Sequence, residues 1–144
     1  MKTIFQTSAG GIVYKKEDGK ILWLITQHSM HKGWVFPKGL VGDKKEEVLE
    51  EAALREVEEE GGVKTKIVHA RPVKVVYKYI YKNQAIEKTV YYFLMEYISG
   101  DPKDHDWEMM DAKFVHIDEV RSTLTFQNDK DAFEKALKLF EIDK

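Results

Sequence analysis

Residues 49–63 read LEEAALREVEEEGGV and decide how the fold and chemistry of the chain are interpreted. The segment up to Glu60 contains neither Gly nor Pro and is rich in Glu, Ala and Leu, which predicts a helix that ends at the Gly61-Gly62 pair. On a wheel of about 100° per residue, Leu49 and Ala52 mark an apolar face, and Glu56 and Glu60 point into the same face. Carboxylates therefore stand where apolar side chains are expected.

The acidic residues of this helix fall into two groups. Three of them project to the opposite side, where solvated carboxylates need no explanation: Glu50, Glu51 and Glu58. Glu56 and Glu60 are one turn apart, with Glu59 at the edge of the apolar face. Like charges at this spacing repel one another, and moving them from water without a partner is costly. The inward group therefore needs a cation.

Two kinds of cation can meet this need. Arg55 is placed for an i,i+4 pair with Glu59. The remaining carboxylates, in a chain without Cys, suit a hard divalent ion such as Mg²⁺ or Mn²⁺. The wheel geometry leaves two alternatives open, a metal site and a merely acidic helix.

Composition limits the classes of protein to consider. At 144 residues with 43% hydrophobic content, the chain suits one globular core, so we predict a single domain over residues 1–144. Lys and Arg (23) nearly balance Asp and Glu (25), which argues against general attraction to nucleic acid or membrane. The absence of Cys excludes disulfides, thiolate zinc sites and cysteine nucleophiles. We find no signal peptide or membrane span and expect a cytoplasmic protein.

The order of predicted elements defines the fold class. Strands are predicted over residues 8–14, 21–25, 34–36, 73–81, 88–97 and 112–117, helices over 44–60, 118–124 and 129–141, and a loop over 39–43. Strands and helices are mixed along the chain, and several strand pairs, including the hairpin of 73–81 with 88–97, are antiparallel. This order favours an α/β sandwich over a doubly wound parallel sheet.

Residues 55–63, REVEEEGGV, also carry a resemblance to a known family. With Glu47 and Gly39 upstream, they resemble the Nudix box, G-x5-E-x7-R-E-U-x-E-E-x-G-U, where U is apolar. Every defined position from Glu47 onward matches, but seven residues rather than five separate Gly39 from Glu47, so the entering loop is longer by two. The segments 8–11 and 36–39 are also similar to the family. The resemblance implies a Nudix-type α/β/α sandwich with a mixed sheet.

The resemblance assigns roles to individual residues. It implies that Glu56, Glu59 and Glu60 are metal-site carboxylates, that the Lys38 backbone carbonyl is a further ligand, and that Arg55 and Glu47 orient the site. Mg²⁺ or Mn²⁺ would neutralise phosphate charge and lower the pKa of an attacking water. Glu56 and Glu108 are candidates for the base that accepts the proton of this water, with Glu108 as a possible further metal ligand. The alternative for Glu108 is a solvated loop carboxylate.

Residues outside the box indicate the substrate. Phe36-Pro37-Lys38-Gly39 and residues 88–94 resemble diadenosine tetraphosphate hydrolases. The predicted substrate-binding residues are Lys38, Lys88, Tyr77, Tyr79, Tyr91, Tyr92 and His28. Lysines could meet phosphate, and strand alternation directs one of Tyr91 and Tyr92 to the cleft and the other to the core. The tyrosines could stack on adenine or simply pack in the hairpin. His28, like His31 and Lys32, could contact phosphate or lie on the surface.

The expected function is Mg²⁺-dependent hydrolysis of a phosphoanhydride bond in a nucleoside polyphosphate, with diadenosine tetraphosphate giving ATP and AMP. Alternative substrates are nucleoside triphosphates, ADP-ribose and diphosphoinositol polyphosphates. A non-catalytic nucleotide-binding Nudix module is a further alternative, although such modules typically lack the box carboxylates. The expected partner is a small nucleotide rather than a nucleic acid or membrane, and the oligomeric state is not predicted.

Overall fold

The structure is a computed structural model and describes residues 2–42 and 46–142. The strands are β1 Thr3–Glu17, β2 Lys20–His28, β3 Trp34–Val35, β4 Lys38–Leu40, β5 Val63–Ile67, β6 Val73–Tyr81, β7 Gln84–Gly100 and β8 Met109–Val115. The helices are α1 Leu49–Gly61, α2 Ile117–Thr123 and α3 Gln127–Ile142. The prediction that residues 1–144 form a single domain stays a prediction.

The strands form one mixed sheet in the order β3-β2-β1-β7-β5. At its centre β1 runs parallel to β7, from the pair Thr3 and Ala85 to the pair Tyr14 and Glu96. The other pairs are antiparallel, with β4 on β1, β6 on β7 and β8 on β2. Because β1 and β7 lie inside the sheet, their side chains pack on both faces.

Helices cover both faces of this sheet. On one face, Ala52 and Val57 of α1 pack with Val13 and Phe93. On the other face, the aromatic side chains of Trp23, Phe133 and Phe140 form the centre of a second core. The predicted α/β/α sandwich with a mixed sheet is therefore confirmed. Within the described part of the chain, no helix has the length and apolar character to cross a bilayer.

A glycine ends α1 beside the site. Gly62 adopts φ 75°, in the left-handed region, and its backbone N–H donates to the Glu58 carbonyl at 2.9 Å. A Cβ atom there would lie 2.5 Å from the Asp101 carbonyl oxygen, so a side chain is excluded by contact as well as by conformation. The predicted end of the helix at this glycine pair agrees with the structure.

Two local predictions need correction, and one strand was not predicted. The helix begins at Leu49 rather than Lys44, because Glu46 has φ 65° and Val48 is extended. The positions 43–45 lie outside the described residues. The predicted loop over 39–43 begins instead with β4, which pairs with residues 8–10 of β1, and β5 was not predicted. Both are short strands whose position is set by pairing with distant segments rather than by their own pattern.

Candidate active site

A cleft of about 410 Å³ opens between α1, the short strand β4 and the loop before β8. Its charged and imidazole lining side chains are Glu56, Glu60, Glu108, Lys38, Lys88, His28 and His31. All except His31 belong to the predicted set of site residues, and His31 was expected either to contact phosphate or to lie on the surface. Lys38 and Lys88 lie far apart in the chain, yet they line the same cleft as the glutamates of α1.

The two inward glutamates of α1 are buried, each 5% exposed. The backbone N–H of Lys38 donates to Glu60 Oε1 at 3.1 Å, which ties β4 to the helix. Burial raises the pKa of Glu60 to about 8, and the charges of Glu56 and Glu108 act in the same direction. Lys38 opposes this rise through its hydrogen bond and its charge. A cation in the cleft would restore the charged carboxylate.

Gly39 leaves space for the carboxyl group of Glu56. A Cβ atom at Gly39 would lie 2.1 Å from the Glu56 carboxyl carbon. A side chain at position 39 would therefore displace the Glu56 carboxylate from the position that Arg55 holds it in. The Gly39 position of the motif therefore has a steric explanation in the structure.

Arg55 connects three glutamates. Its Nε and Nη2 donate to Glu47 at 2.6 and 2.8 Å, and its Nη1 donates to Glu56 at 2.7 Å. The predicted i,i+4 contact with Glu59 is present but longer, at 3.2 Å. The hydrogen bond to Glu47 is the main cause of a raised pKa of Arg55, so the guanidinium is a fixed positive charge. Arg55 thus holds Glu56 from the side.

The oxygen donors of the cleft fit a hard divalent cation, although they do not form a ready-made site. Glu56, Glu60 and Glu108 line the same cleft, whereas Glu59 is an exposed residue outside its lining. Over residues 2–42 and 46–142, no three His, Asp or Glu side chains are grouped closely enough to hold a metal ion. Carboxylates of like charge keep apart without a cation, and an oxygen-only set suits Mg²⁺ or Mn²⁺. The ligand roles of the four carboxylates and of the Lys38 carbonyl all stay predictions: Glu56, Glu59, Glu60, Glu108 and Lys38.

A second pocket of about 300 Å³ adjoins the cleft. The two share His31, Val35, Lys38 and Tyr77. Aromatic and aliphatic side chains dominate the second pocket, among them Tyr79, Val75, Val90 and Phe126. A charged cavity is thus continuous with an apolar one.

The four predicted tyrosines occupy three different environments. Tyr77 and Tyr79 line the apolar pocket, with ring centroids 6.0 Å apart and planes 26° from parallel. Tyr92 is buried at 2% exposure, borders the same pocket and donates from its hydroxyl to Asp129 Oδ1 at 2.9 Å. Tyr91, its neighbour on β7, projects toward the opposite face of the sheet and lines neither cavity.

Two lysines and two imidazoles line the cleft together with the glutamates. The rings of His28 and His31 stack at 4.3 Å and 9°, and burial followed by the charge of Lys38 lowers the pKa of His28. Burial, then Lys38, also lowers the pKa of Lys88. An anion between the lysines would relieve this repulsion. Lys32 instead donates to the Ser29 carbonyl at 2.9 Å.

Sequence reasoning missed Asp129 and Phe126 in the apolar pocket. Asp129 is buried and lies on the same face of α3 as Phe133, Ala136 and Phe140. The wheel argument that selected Glu56 and Glu60 could have found it, because a carboxylate again occupies an apolar face. Phe126 precedes the helix and carries no comparable signal.

Comparison with known proteins identifies the family. The model of the NUDIX domain family matches residues 4–137, nearly the whole chain. The chain belongs to the NUDIX domain family. The predicted resemblance is therefore confirmed. A Mycobacterium tuberculosis protein named mutator protein MutT4 is 30% identical over 147 residues, covering 98% of this chain and 58% of the relative. This Nudix chain thus spans little more than half of that relative's length.

Solved structures share the Nudix fold. The Ap4A hydrolase of C. elegans superimposes with a TM-score of 0.69 at 23% identity, covering 96% of this chain and 99% of the other. The NUDIX domain of Shewanella oneidensis NrtR, crystallised with ADP ribose, has a TM-score of 0.65 at 16% identity, covering 96% and 88%. At such identities the likeness concerns the fold. The family match and the hydrolases among the structural relatives support the predicted enzyme class, a pyrophosphohydrolase.

Proposed function

We propose that the protein hydrolyses a phosphoanhydride bond of nucleoside polyphosphates with Mg²⁺ or Mn²⁺, and that diadenosine tetraphosphate (Ap4A) is cut to ATP and AMP. One observation carries this proposal: the acidic cleft continues, past Lys38 and Tyr77, into an aromatic pocket. Metal and polyphosphate fit the first cavity by charge, and a nucleobase fits the second by its planar apolar faces. The named activity of the C. elegans relative is consistent with this substrate.

The carboxylates would hold the metal, which, when bound, neutralises phosphate charge and lowers the pKa of the attacking water. Glu56 and Glu60 line the cleft from α1, and Glu108 lines it from the loop before β8. Glu59 is the fourth proposed ligand and would turn inward from the Arg55 side. Arg55 keeps Glu56 directed into the cleft, and Lys38 and Lys88 would bind phosphate oxygens as point charges.

Glu108 is our preferred base for the water. Its loop is fixed from two sides, because the Ser29 N–H donates to the Glu108 carbonyl at 2.9 Å and the Glu108 N–H donates to Asp106 at 3.1 Å. Glu56, the other candidate, already accepts a hydrogen bond from Arg55 at 2.7 Å. That hydrogen bond from a fixed positive charge stabilises the ionised form of Glu56 and so weakens it as a proton acceptor.

A substrate scan with product analysis tests the proposal. The purified protein is incubated with Mg²⁺ and Ap4A, a nucleoside triphosphate, ADP-ribose or a diphosphoinositol polyphosphate, and the products are separated. We expect the highest kcat/KM for Ap4A, with ATP and AMP in equal amounts. Two molecules of ADP per Ap4A, or a higher kcat/KM for another substrate, would contradict the Ap4A assignment. Tight binding of nucleotides without turnover under any divalent ion would indicate a binding module instead.

A further inference from the structure

Asp129 is a buried acidic residue that the proposed hydrolysis does not use. It lies in the first turn of α3, is 6% exposed and borders the apolar pocket. Its neighbours around that pocket include Val75, Val90 and Tyr77. Burial of a carboxyl group among apolar side chains opposes folding unless hydrogen bonds compensate. A residue in this position therefore requires an explanation.

Tyr92 provides a hydrogen-bond partner for one of the two carboxylate oxygens of Asp129. Its hydroxyl donates to Asp129 Oδ1 at 2.9 Å. Among the described residues, no other side chain hydrogen-bonds this carboxyl group. No fully buried side-chain oxygen or nitrogen in the described residues lacks a partner. The second oxygen, Oδ2, is therefore not fully enclosed by the protein, and Asp129 borders the pocket. One oxygen is held by the protein and the other is presented to whatever enters.

The charges around Asp129 favour its ionised form, which can only accept hydrogen bonds. Burial raises the pKa of Asp129, whereas Lys38, the Tyr92 hydrogen bond and His31 oppose that rise. The same groups link the carboxyl to the phosphate-binding cleft, because Lys38 and His31 border both cavities. A ligand that places phosphate beside Lys38 thus brings its base into the pocket that contains Asp129.

We propose that Asp129, oriented by Tyr92, selects the base by accepting a hydrogen bond from the exocyclic amino group of a 6-aminopurine. This inference rests on the proposed function, since it assumes a nucleotide with its phosphates in the acidic cleft. Adenine presents a single donor group on its Watson–Crick edge, which matches the single presented oxygen. Guanine presents two adjacent donors, which suit a carboxylate with both oxygens available. Hypoxanthine places a carbonyl oxygen where adenine has its amino group, so two acceptors would face each other.

A simpler view is that the Tyr92–Asp129 bond only fastens α3 to β7. An apolar pair of similar shape would do this without a buried carboxyl, because replacing both partners of a buried hydrogen bond is often nearly neutral. That view also gives no reason for an oxygen that reaches the pocket. The two views differ in a measurable property, the preference of the protein for one base over another.

The test compares the binding of AMP, IMP and GMP by calorimetry in the presence of Mg²⁺. We expect the parent protein to bind AMP about 10- to 100-fold more tightly than IMP or GMP, the range for one hydrogen bond to a charged group. Asp129→Asn removes the charged acceptor, and its amide either accepts from the Tyr92 hydroxyl and presents N–H₂ to the base or donates to the hydroxyl oxygen and presents its carbonyl oxygen. The preference for AMP over IMP should then fall to nearly one. Asp131→Asn makes the same change at an exposed site of α3 and should leave the preference unaltered.

A second pair of variants keeps the test valid if Asp129→Asn is unstable. Tyr92→Phe removes only the orienting hydroxyl, and in Tyr92→Phe with Asp129→Asn the amide can rotate freely. We expect the double variant to bind AMP and IMP with nearly equal affinity. A lowered Tm with an unchanged AMP to IMP ratio in these variants would overturn the inference and leave a structural role.

The inference and the proposed function fail in different ways. Selective AMP binding by a parent protein that cleaves no Ap4A would refute the proposed hydrolysis but support base selection. Cleavage of Ap4A and of diinosine tetraphosphate with equal kcat/KM would refute base selection alone. If none of the monophosphates binds measurably, this ratio of kcat/KM values decides the matter, with a ratio above about 10 in favour of Ap4A expected.

Discussion

Arg55 and Glu47 form a bidentate ion pair, with Nε 2.6 Å from one carboxylate oxygen and Nη2 2.8 Å from the other. Glu47 lies before the first turn of α1, and Arg55 is two turns into the helix. The third nitrogen, Nη1, is 2.7 Å from Glu56. The guanidinium is therefore held by Glu47 and in turn orients the Glu56 carboxylate, which lines the cleft.

Replacing Arg55 by Lys should reduce activity while the charge stays the same. A lysine ammonium cannot make two parallel bonds to Glu47 and also reach Glu56, so Glu56 loses its fixed direction. We expect Arg55→Lys to lower kcat by roughly 10- to 100-fold, the usual effect of removing an orienting partner. Arg121 pairs with Glu134 through two bonds of 2.9 Å on an exposed surface, and Arg121→Lys is the matched control. Equal kcat values for the two variants would contradict this role.

The side chain of Lys38 can be tested separately from its backbone. Lys38→Ala keeps the backbone N–H that donates to Glu60 but removes the ammonium group shared by the two cavities. We expect kcat/KM for Ap4A to fall by roughly tenfold or more, with an unchanged Tm, because a phosphate contact is lost. Lys20→Ala, at an exposed position of β2, should change neither quantity. Unchanged kcat/KM in Lys38→Ala would remove this side chain from the site.

Two tyrosines on opposite faces of the sheet separate stacking from packing. Tyr77 borders both cavities, whereas Tyr91 borders neither. If the pocket binds adenine, Tyr77→Ala should raise KM for Ap4A by an amount that corresponds to about 1–3 kcal/mol. Tyr91→Ala should leave KM unchanged even if it lowers Tm. The reverse result, a raised KM for Tyr91→Ala alone, would show that the base binds elsewhere.

The sequence allowed helix α1 and its buried glutamates to be predicted because helix periodicity is a local property. The wheel placed Glu56 and Glu60 on the buried face and Glu50 on the exposed face, and the structure has this arrangement. The partner of Arg55 was less accessible to such reasoning. Helix spacing indicated Glu59, but the shortest contacts of Arg55 are with Glu47, which precedes the helix and is brought back by the chain path.

Contacts between distant segments account for the remaining differences. Strand β4 exists because residues 38–40 pair with β1, some 30 positions earlier, and its own three residues contain no strand pattern. One pocket likewise contains Lys38 of β4, Tyr77 of β6 and Asp129 of α3, and this arrangement depends on how the three elements pack. Lys38 and Tyr77 were predicted as substrate-binding residues, whereas Asp129 was missed although it stands as a carboxylate on the apolar face of α3.

Glu60→Gln provides the most direct test of the metal-binding helix. The substitution keeps the size of the side chain and the acceptor for the Lys38 N–H, but it removes one negative charge from the cleft. If Glu60 is a metal ligand, turnover of Ap4A should collapse. Mg²⁺ should raise the Tm of the parent through ligand linkage and that of Glu60→Gln much less. Glu50→Gln, on the exposed face of α1, should behave as the parent in both measurements.

Without metal, the same variant should differ from the parent in its dependence on pH. Burial raises the pKa of Glu60 from 4.5 to about 8, so the folded state binds its proton more tightly than the unfolded state does. The resulting stabilisation is complete below the unfolded pKa and is lost as pH rises through the folded pKa. In EDTA, the free energy of unfolding of the parent should therefore fall between about pH 5 and pH 9 relative to that of Glu60→Gln.

The size of this effect is bounded, because one pKa unit corresponds to about 1.4 kcal/mol, which limits the difference to a few kcal/mol. Urea titrations of the parent, Glu60→Gln and Glu50→Gln at several pH values in EDTA measure it directly. Saturating Mg²⁺ should shift the loss to lower pH, since the cation favours the charged carboxylate. Parallel pH profiles for the parent and Glu60→Gln in EDTA would show that Glu60 is already ionised in the folded protein. Full activity in Glu60→Gln would then exclude it from the metal site as well.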